Sequence, residues 1–242
     1  MESRSTSVRR HAFVDLDRIV RNAIDSGSPL HDSTADLRAD AYGHGIIPVA
    51  RALSDAGVGG FLVSRFEDAS ALADAGVTGA VVAQSVGSGS GTIIGPLIGP
   101  ELFGLDPALP GLPALRLIGE IIAVKRVGAD RGVSYGYTYR TSKPTTLTLV
   151  ALGFADGVPR VASNKAPVRV GEFTGRVTGR IAMDQFVVDL DGTPAQPGDE
   201  AVLFGDPVRR EPSILEWADA IGVAAPVIVS RLGRRIERLY RA

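Results

Sequence analysis

Apolar positions along the first third of the chain recur in two alternating textures, short continuous runs and amphipathic stretches. Phe13 and Leu16 stand among polar neighbours in residues 12–20, and the pattern then predicts a helix through about residue 25. Ala35–Ala39 reads as a strand, and Ile46, Val49, Ala50, Leu53 and Ala56 fall on one face of a helix near Ile46–Ala56 that Gly57 can close. A second strand is expected at Gly60–Ser64, with a helix near Phe66–Ala75 ended by Gly76, and a third strand at Gly79–Gln84. Strand and helix alternate, which predicts parallel βαβ units.

The alternation then stops. Ser85–Pro100 reads SVGSGSGTIIGPLIGP, a Gly/Ser-rich stretch followed by Gly-Pro punctuation, and is expected to be a linker. Beyond it the texture is β. Candidate strands are Leu117–Val127, Thr145–Gly153, Pro167–Val170, Gly175–Leu190 (broken by a turn or bulge) and Glu200–Gly205. Ser213 followed by Glu216 forms a capping-box pattern for a late helix. Ile214, Trp217, Ala218 and Ile221 form its apolar side, and Gly222 its stop. Val227–Tyr240 predicts a short helix leading into a final strand. The expected organisation is α/β over residues 1–84, a linker over 85–107 and a β domain over 108–242.

Composition narrows the function classes. The 242 residues are 45% hydrophobic, enough for a substantial core. With 26 basic and 27 acidic residues the formal net charge is −1, which argues against a general nucleic-acid or membrane-surface role. The absence of cysteine excludes disulfides and thiolate-bound metals, and three histidines (His11, His31, His44) leave little for a metal site. Met1-Glu2-Ser3-Arg4 lacks an apolar signal core and no apolar run approaches a membrane span, so a soluble, cytoplasmic protein is expected. Arg234, Arg235, Arg238 and Arg241 form a basic tail, expected to be a solvated face.

Four motifs carry chemistry. Residues 37–45 read Leu-Arg-Ala-Asp-Ala-Tyr-Gly-His-Gly; residues 131–136 read Arg-Gly-Val-Ser-Tyr-Gly; residues 153–160 read Gly-Phe-Ala-Asp-Gly-Val-Pro-Arg; residues 179–185 read Gly-Arg-Ile-Ala-Met-Asp-Gln. All four resemble segments of the alanine racemases, in that family's order. Asp15-Leu16-Asp17, Phe103–Pro107 and Arg231–Tyr240 are also collinear with it. The resemblance implies a (β/α) TIM-type barrel carrying pyridoxal phosphate (PLP), followed by the alanine racemase C-terminal β domain. It also implies a homodimer in which two chains pair head to tail, and the interconversion of L- and D-alanine. The cofactor would be the electron sink and two bases would move the proton. On this template Tyr135 is the second base, Tyr42 a phosphate contact, and Met183 a wall of the partner's site.

Several positions depart from the family. Arg38 stands where the family has the Schiff-base lysine, and a guanidinium stays protonated and delocalised, so it is no Schiff-base nucleophile. Arg38 reads either as an anion contact for phosphate or carboxylate, or as a residue tolerated once PLP is no longer bound. Only Ala35–Pro107 is available for a barrel that needs about 200 residues or more, so an incomplete barrel fragment is expected. Its three strands would leave two unpaired edges, and Ser85–Pro100 could cover one of them or let chains swap strands. Phe154 replaces a tyrosine, and Ala225-Pro226 replaces a Tyr-Glu pair. Asp156 and Arg160 are expected to fix a turn and an ion pair. The function expected is that of a racemase-like pseudoenzyme. The alternatives are a non-catalytic partner lending Tyr135 to a full-length racemase in a heterodimer, and a residual amino-acid racemase.

Overall fold

The protein is described from a computed structural model, which covers residues 8–83, 92–109 and 111–242. In chain order the first elements are β1 (Arg10–Asp15), α1 (Leu16–Asp25), β2 (Thr34–Asp36), α2 (Arg38–Tyr42), α3 (Ile46–Asp55) and β3 (Gly60–Val63). Next come α4 (Phe66–Asp74), β4 (Ala80–Val82), β5 (Leu97–Ile98) and β6 (Leu115–Val127). The rest are β7 (Gly132–Val133), β8 (Tyr139–Arg140), β9 (Thr145–Val150), β10 (Pro167–Val170), β11 (Phe173–Thr178), β12 (Phe186–Asp189), β13 (Glu200–Phe204), α5 (Ile214–Ile221), α6 (Ala225–Ser230) and β14 (Glu237–Arg241). They divide into an α/β unit (Phe13–Leu115, Ala224–Arg231, Arg238–Ala242) and a β unit (Met1–Ala12, Arg116–Val223, Leu232–Glu237).

The α/β unit is built on a parallel sheet of order β4-β3-β2-β5. Asp36 pairs with Leu62, and Phe61 with Ala80, so the strands expected from the apolar runs lie side by side. Helix α1 starts where the Asp15 carboxylate accepts the Arg18 amide hydrogen bond at 3.0 Å, and it buries Ile19, Asn22 and Ala23. Helix α3 buries Val49, Ala50 and Leu53, three of the five positions on its predicted face.

One expectation in this unit needs correction and another is made specific. The first strand ends at Asp36 rather than Ala39, because the chain turns into α2 two residues later. The segment expected to be a linker that could cover a sheet edge contains a strand that does so: Leu97 pairs with Thr34 and Ile98 with Ala35. The Thr34 side chain holds that strand in place, since its hydroxyl donates to the Ile94 carbonyl at 2.8 Å and accepts from the Ile94 amide at 3.0 Å. Burial of Ile98 completes the attachment. One edge of the expected three-stranded sheet is thereby covered. Residues 84–91 of the expected third strand and linker lie outside the described residues.

In the β unit, six antiparallel strands close on themselves in the circuit β6-β9-β12-β11-β10-β13-β6. The long strand β6 makes closure possible. Its first half pairs with β13 (Ala201 with Gly119) and its second half with β9 (Lys125 with Leu147), with a register shift between Ile121 and Ala123. The predicted segment Gly175–Leu190 is broken, into β11 and β12. Helix α5 begins with the expected capping box, Ser213 Oγ accepting from the Glu216 amide at 3.0 Å. It buries Trp217 edge-on to Phe204, and the indole N–H donates to the Pro167 carbonyl at 2.8 Å.

Candidate functional site

The first group of candidate residues lies at the C-terminal end of β2, the end of a parallel strand where α/β proteins place ligands. Strand β2 ends at Asp36, and α2 follows with an unusual hand. Ala39, Asp40, Ala41 and Tyr42 all have positive φ (54°, 58°, 53° and 53°), so this single turn is left-handed. Such geometry costs roughly 1–2 kcal/mol per L-residue, and its surroundings must hold it. The Ala39 amide donates to Ser64 Oγ at 3.1 Å, and Asp40 Oδ1 accepts from the Ile46 amide at 2.8 Å, joining the turn to the start of α3. Arg238 Nε donates to the Gly43 carbonyl at 2.7 Å. Gly43 itself has φ +79°, and a Cβ there would lie 2.5 Å from the Val229 carbonyl oxygen of α6.

Arg38 opens this turn and is not free. Its backbone N–H and Nε donate to Asp36 Oδ1 at 3.1 and 2.8 Å, and Nη2 donates to Asp36 Oδ2 at 2.6 Å. The Tyr42 hydroxyl donates to the same Oδ2 at 2.8 Å. Asp36 is only 2% exposed, whereas the Arg38 side chain is 48% exposed. Burial pushes the Asp36 carboxyl up, but the Arg38 and Tyr42 hydrogen bonds and the guanidinium charge outweigh it and hold it below the usual range. The Asp36 hydrogen bond in turn holds Arg38 more firmly protonated, and burial followed by that same carboxylate pushes Tyr42 up. His44 is fully buried against Phe103, ring centroids 4.4 Å apart; burial pushes it down to about 4, so it is neutral at pH 7.

The second group lies on loops of the β unit. Tyr135 is 71% exposed and Met183 57%, with Tyr137, Phe154 and Val161 exposed as well. Three loops are stitched together beneath them. Ser134 Oγ donates to the Arg180 carbonyl (2.6 Å), Gly179 N to Asn164 Oδ1 (2.6 Å) and Asn164 Nδ2 to Thr138 Oγ1 (3.1 Å). The Phe154 and Ala155 amides donate to the Ala182 and Met183 carbonyls at 3.1 and 2.9 Å. The buried Asp156 fixes its own turn through the Gly153 amide at 2.8 Å and faces Arg235 Nε at 3.0 Å; Arg235 Nη1 reaches Asp184 at 2.6 Å. Arg160 lies over the Phe154 ring, 5.4 Å from its centroid. Tyr135 and Met183 thus share one braced loop cluster.

Sequence reasoning missed two residues here. Asp36 carried a usable signal: an aspartate two positions before Arg38 is a candidate partner for it. Arg235 carried none; Arg234, Arg235 and Arg241 of the basic tail are exposed, as expected, and three of its four arginines also have partners. Arg235 pairs with Asp156 and Asp184, Arg238 holds Gly43, and Arg241 reaches Asp15 at 2.9 Å. Among the described residues, no group of three or more His, Asp or Glu is gathered for a metal ion, and no helix is long and apolar enough to cross a membrane.

A parallel α/β unit with a loop motif at a strand end, joined to a closed antiparallel β unit with a second set of motif loops, defines a two-domain class. Family models within that class match twice: "Alanine racemase, N-terminal domain" over residues 14–91 and "Alanine racemase, C-terminal domain" over residues 114–240. The chain belongs to the alanine racemase family. It is 46% identical over 147 residues to an alanine racemase of Thermobifida fusca, and 50% identical over 141 residues to one of Streptomyces coelicolor. These matches cover 59% and 58% of this chain but only 39% and 34% of those proteins, so the chain spans well under half the length of these relatives. The crystal structure of an alanine racemase from Streptomyces lavendulae superposes with a TM-score of 0.87 at 26% identity, over 98% of each chain.

Against the family's cofactor, PLP, the end of β2 does not fit. A PLP aldehyde needs an amine with a free electron pair. Residue 38 offers a guanidinium whose fork is taken by Asp36, and the Tyr42 hydroxyl is directed to that same carboxylate.

Proposed function

We propose that this chain is a racemase-family protein that does not interconvert L- and D-alanine on its own. The observation that carries this reading is Arg38, at the family's Schiff-base position and clasped by a buried carboxylate at 2.6 and 2.8 Å. The parallel sheet of four strands among the described residues supports the further reading that the barrel is shortened between β4 and β5. Purified chain mixed with PLP is expected to show no visible aldimine band, no borohydride-fixed PLP and no racemisation of alanine. Stoichiometric reducible PLP, or racemisation by the wild-type chain, overturns the proposal.

A second reading draws on the β unit. Tyr135 and Met183 stand exposed on loops braced by hydrogen bonds of their own unit. We infer that they are available to a second chain, either another copy in a homodimer or a full-length racemase in a heterodimer. In the latter, Tyr135 would serve as the proton-carrying hydroxyl. Co-purification with a full-length racemase, with an effect on its rate that Tyr135→Phe removes, supports this. Absence of binding at micromolar concentrations, or an unchanged effect in Tyr135→Phe, refutes it.

A further inference from the structure

We propose that Asp36, and not the identity of residue 38 alone, closes the end of β2 to carbonyl chemistry: its carboxylate would hold any amine placed at position 38 in the protonated, unreactive form. The inference rests on the reading of Arg38 given above and goes beyond it, because it assigns the block to two residues that act together.

The argument begins with the backbone. Asp36 is the last residue of β2, and its side chain turns along the strand end to meet the residue two positions on. Three N–H groups of residue 38 and the Tyr42 hydroxyl converge on its two oxygens. A carboxylate buried to 2% exposure is stable as an anion only with such partners. It would therefore recruit whatever cation the neighbouring position supplies. An ammonium on a lysine stem carries the same charge as the guanidinium and reaches the same oxygens with three rotatable donors.

Two opposing effects would act on such an amine. Burial favours the neutral form, and an adjacent anion favours the charged one. Position 38 is nearly half exposed, so the burial effect is weak there, while the facing carboxylate is almost fully buried and poorly screened. The anion wins. The other charged groups nearby are of both signs: Arg238, at the Gly43 carbonyl, and Arg65, beside Asp40, are cations bonded elsewhere, and two carboxylates act with Asp36. A Cβ at Gly99 would lie 3.8 Å from Glu101 Oε2 and 3.6 Å from the Tyr42 hydroxyl, which places the Glu101 carboxylate beside this cluster. Asp40 adds a third carboxylate from within α2, bound to the Ile46 amide. Among the described residues no cation is bonded to Asp36 apart from Arg38. An opposite charge within about 4–6 Å raises an amine by one to three pH units, which lowers the fraction of free amine at pH 8 by tenfold to a thousandfold.

The experiment measures amine reactivity directly, without loaded enzyme. R38K and D36N/R38K are pulse-labelled with an acylating reagent between pH 7 and pH 12, and label at position 38 is quantified by peptide mass spectrometry. In R38K the labelling midpoint is expected above the ordinary lysine value of about 10.4. In D36N/R38K the rate at pH 8 is expected to rise at least tenfold. A midpoint at or below 10.4 in R38K, or equal rates at pH 8 in the two variants, overturns the proposal. If D36N does not fold, the R38K midpoint decides alone. Failure here is distinguishable from failure of the reading beneath it, because that reading is tested on the wild-type chain, by PLP uptake and racemisation.

Discussion

Removing the Arg38 guanidinium should leave a buried charge exposed to its own desolvation, and R38M measures the size of that effect. Breaking a buried ion pair by deleting one partner costs about 3–5 kcal/mol. Two facts reduce the figure here. The Arg38 side chain is 48% exposed, so solvent already screens part of the attraction. Asp36 also keeps two donors in the variant, the residue-38 backbone N–H and the Tyr42 hydroxyl. A loss of about 2 kcal/mol at pH 7 is expected on those grounds. The effect also has a pH signature. In the wild-type chain Asp36 is held below its ordinary value, so its contribution is full above about pH 4 and is lost as pH falls through the depressed value. In R38M the guanidinium no longer opposes burial and the carboxyl rises. The variant then takes up a proton in the folded state and sheds its penalty on acidification. The gap between wild type and R38M should therefore be widest near pH 7 and narrow toward pH 4. Urea unfolding followed by circular dichroism at both pH values gives the gap. Hydrogen exchange of the Leu37 amide, bonded to the Leu62 carbonyl at 2.8 Å, assigns it to this end of β2. A gap below about 0.5 kcal/mol, the range of ordinary surface changes, or one that is the same at pH 7 and pH 4, refutes the reasoning.

Three further outcomes are expected. Asn22→Ala strips the side chain that donates to the Leu102 and Leu112 carbonyls at 2.9 Å each and accepts from the Leu112 amide at 2.7 Å, so a loss of about 2–4 kcal/mol in urea unfolding is expected. His44 is neutral and buried when folded but charges near pH 6.5 when unfolded; the unfolded state binds more protons between pH 6.5 and about 4, and stability should fall across that window by about 1.4 kcal/mol per pH unit, a slope that H44L removes. Arg235→Met unties Asp184 from Asp156, so limited proteolysis should cut residues 179–185 faster, while Lys165→Met, without that link, should leave the rate unchanged.

What was legible in the sequence follows the range of the forces involved. The capping box at Ser213, the amphipathic face of α3 and the strand-helix alternation are local, and each lies close to where its pattern put it. Strand β5 was hidden because two residues carry no periodicity; its partner Thr34 is remote in sequence and also bonds Ile94, 60 positions away. The left-handed turn was hidden for another reason. Of Ala39, Asp40, Ala41 and Tyr42 only the aspartate has any intrinsic tolerance of positive φ, and the groups that hold the turn come from Ser64, Ile46 and Arg238. The exposure of the basic tail was legible, but its partners were not, because charge alone does not say where a carboxylate waits: Asp156 and Asp15 are remote in sequence from Arg235 and Arg241.

The turn at α2 bears on how such a site changes its chemistry. Left-handed backbone costs roughly 1–2 kcal/mol each at Ala39, Ala41 and Tyr42, and less at Asp40. The turn is present with a guanidinium, not an amine, at residue 38. The reason lies in its contacts. The Asp36 clasp closes the turn at its start, Asp40 fixes it to α3, and Gly43 packs under α6. The geometry is the joint between β2 and α3, held by contacts that do not depend on the chemistry of the site. On the β unit, Tyr135 and Met183 are highly exposed, and their own side chains contribute little to packing. Packing of the fold explains the motif at residues 37–45 and does not explain Tyr135. Of the candidate residues, Tyr135 is therefore the one at which a loss of function, with no loss of stability, would be most informative.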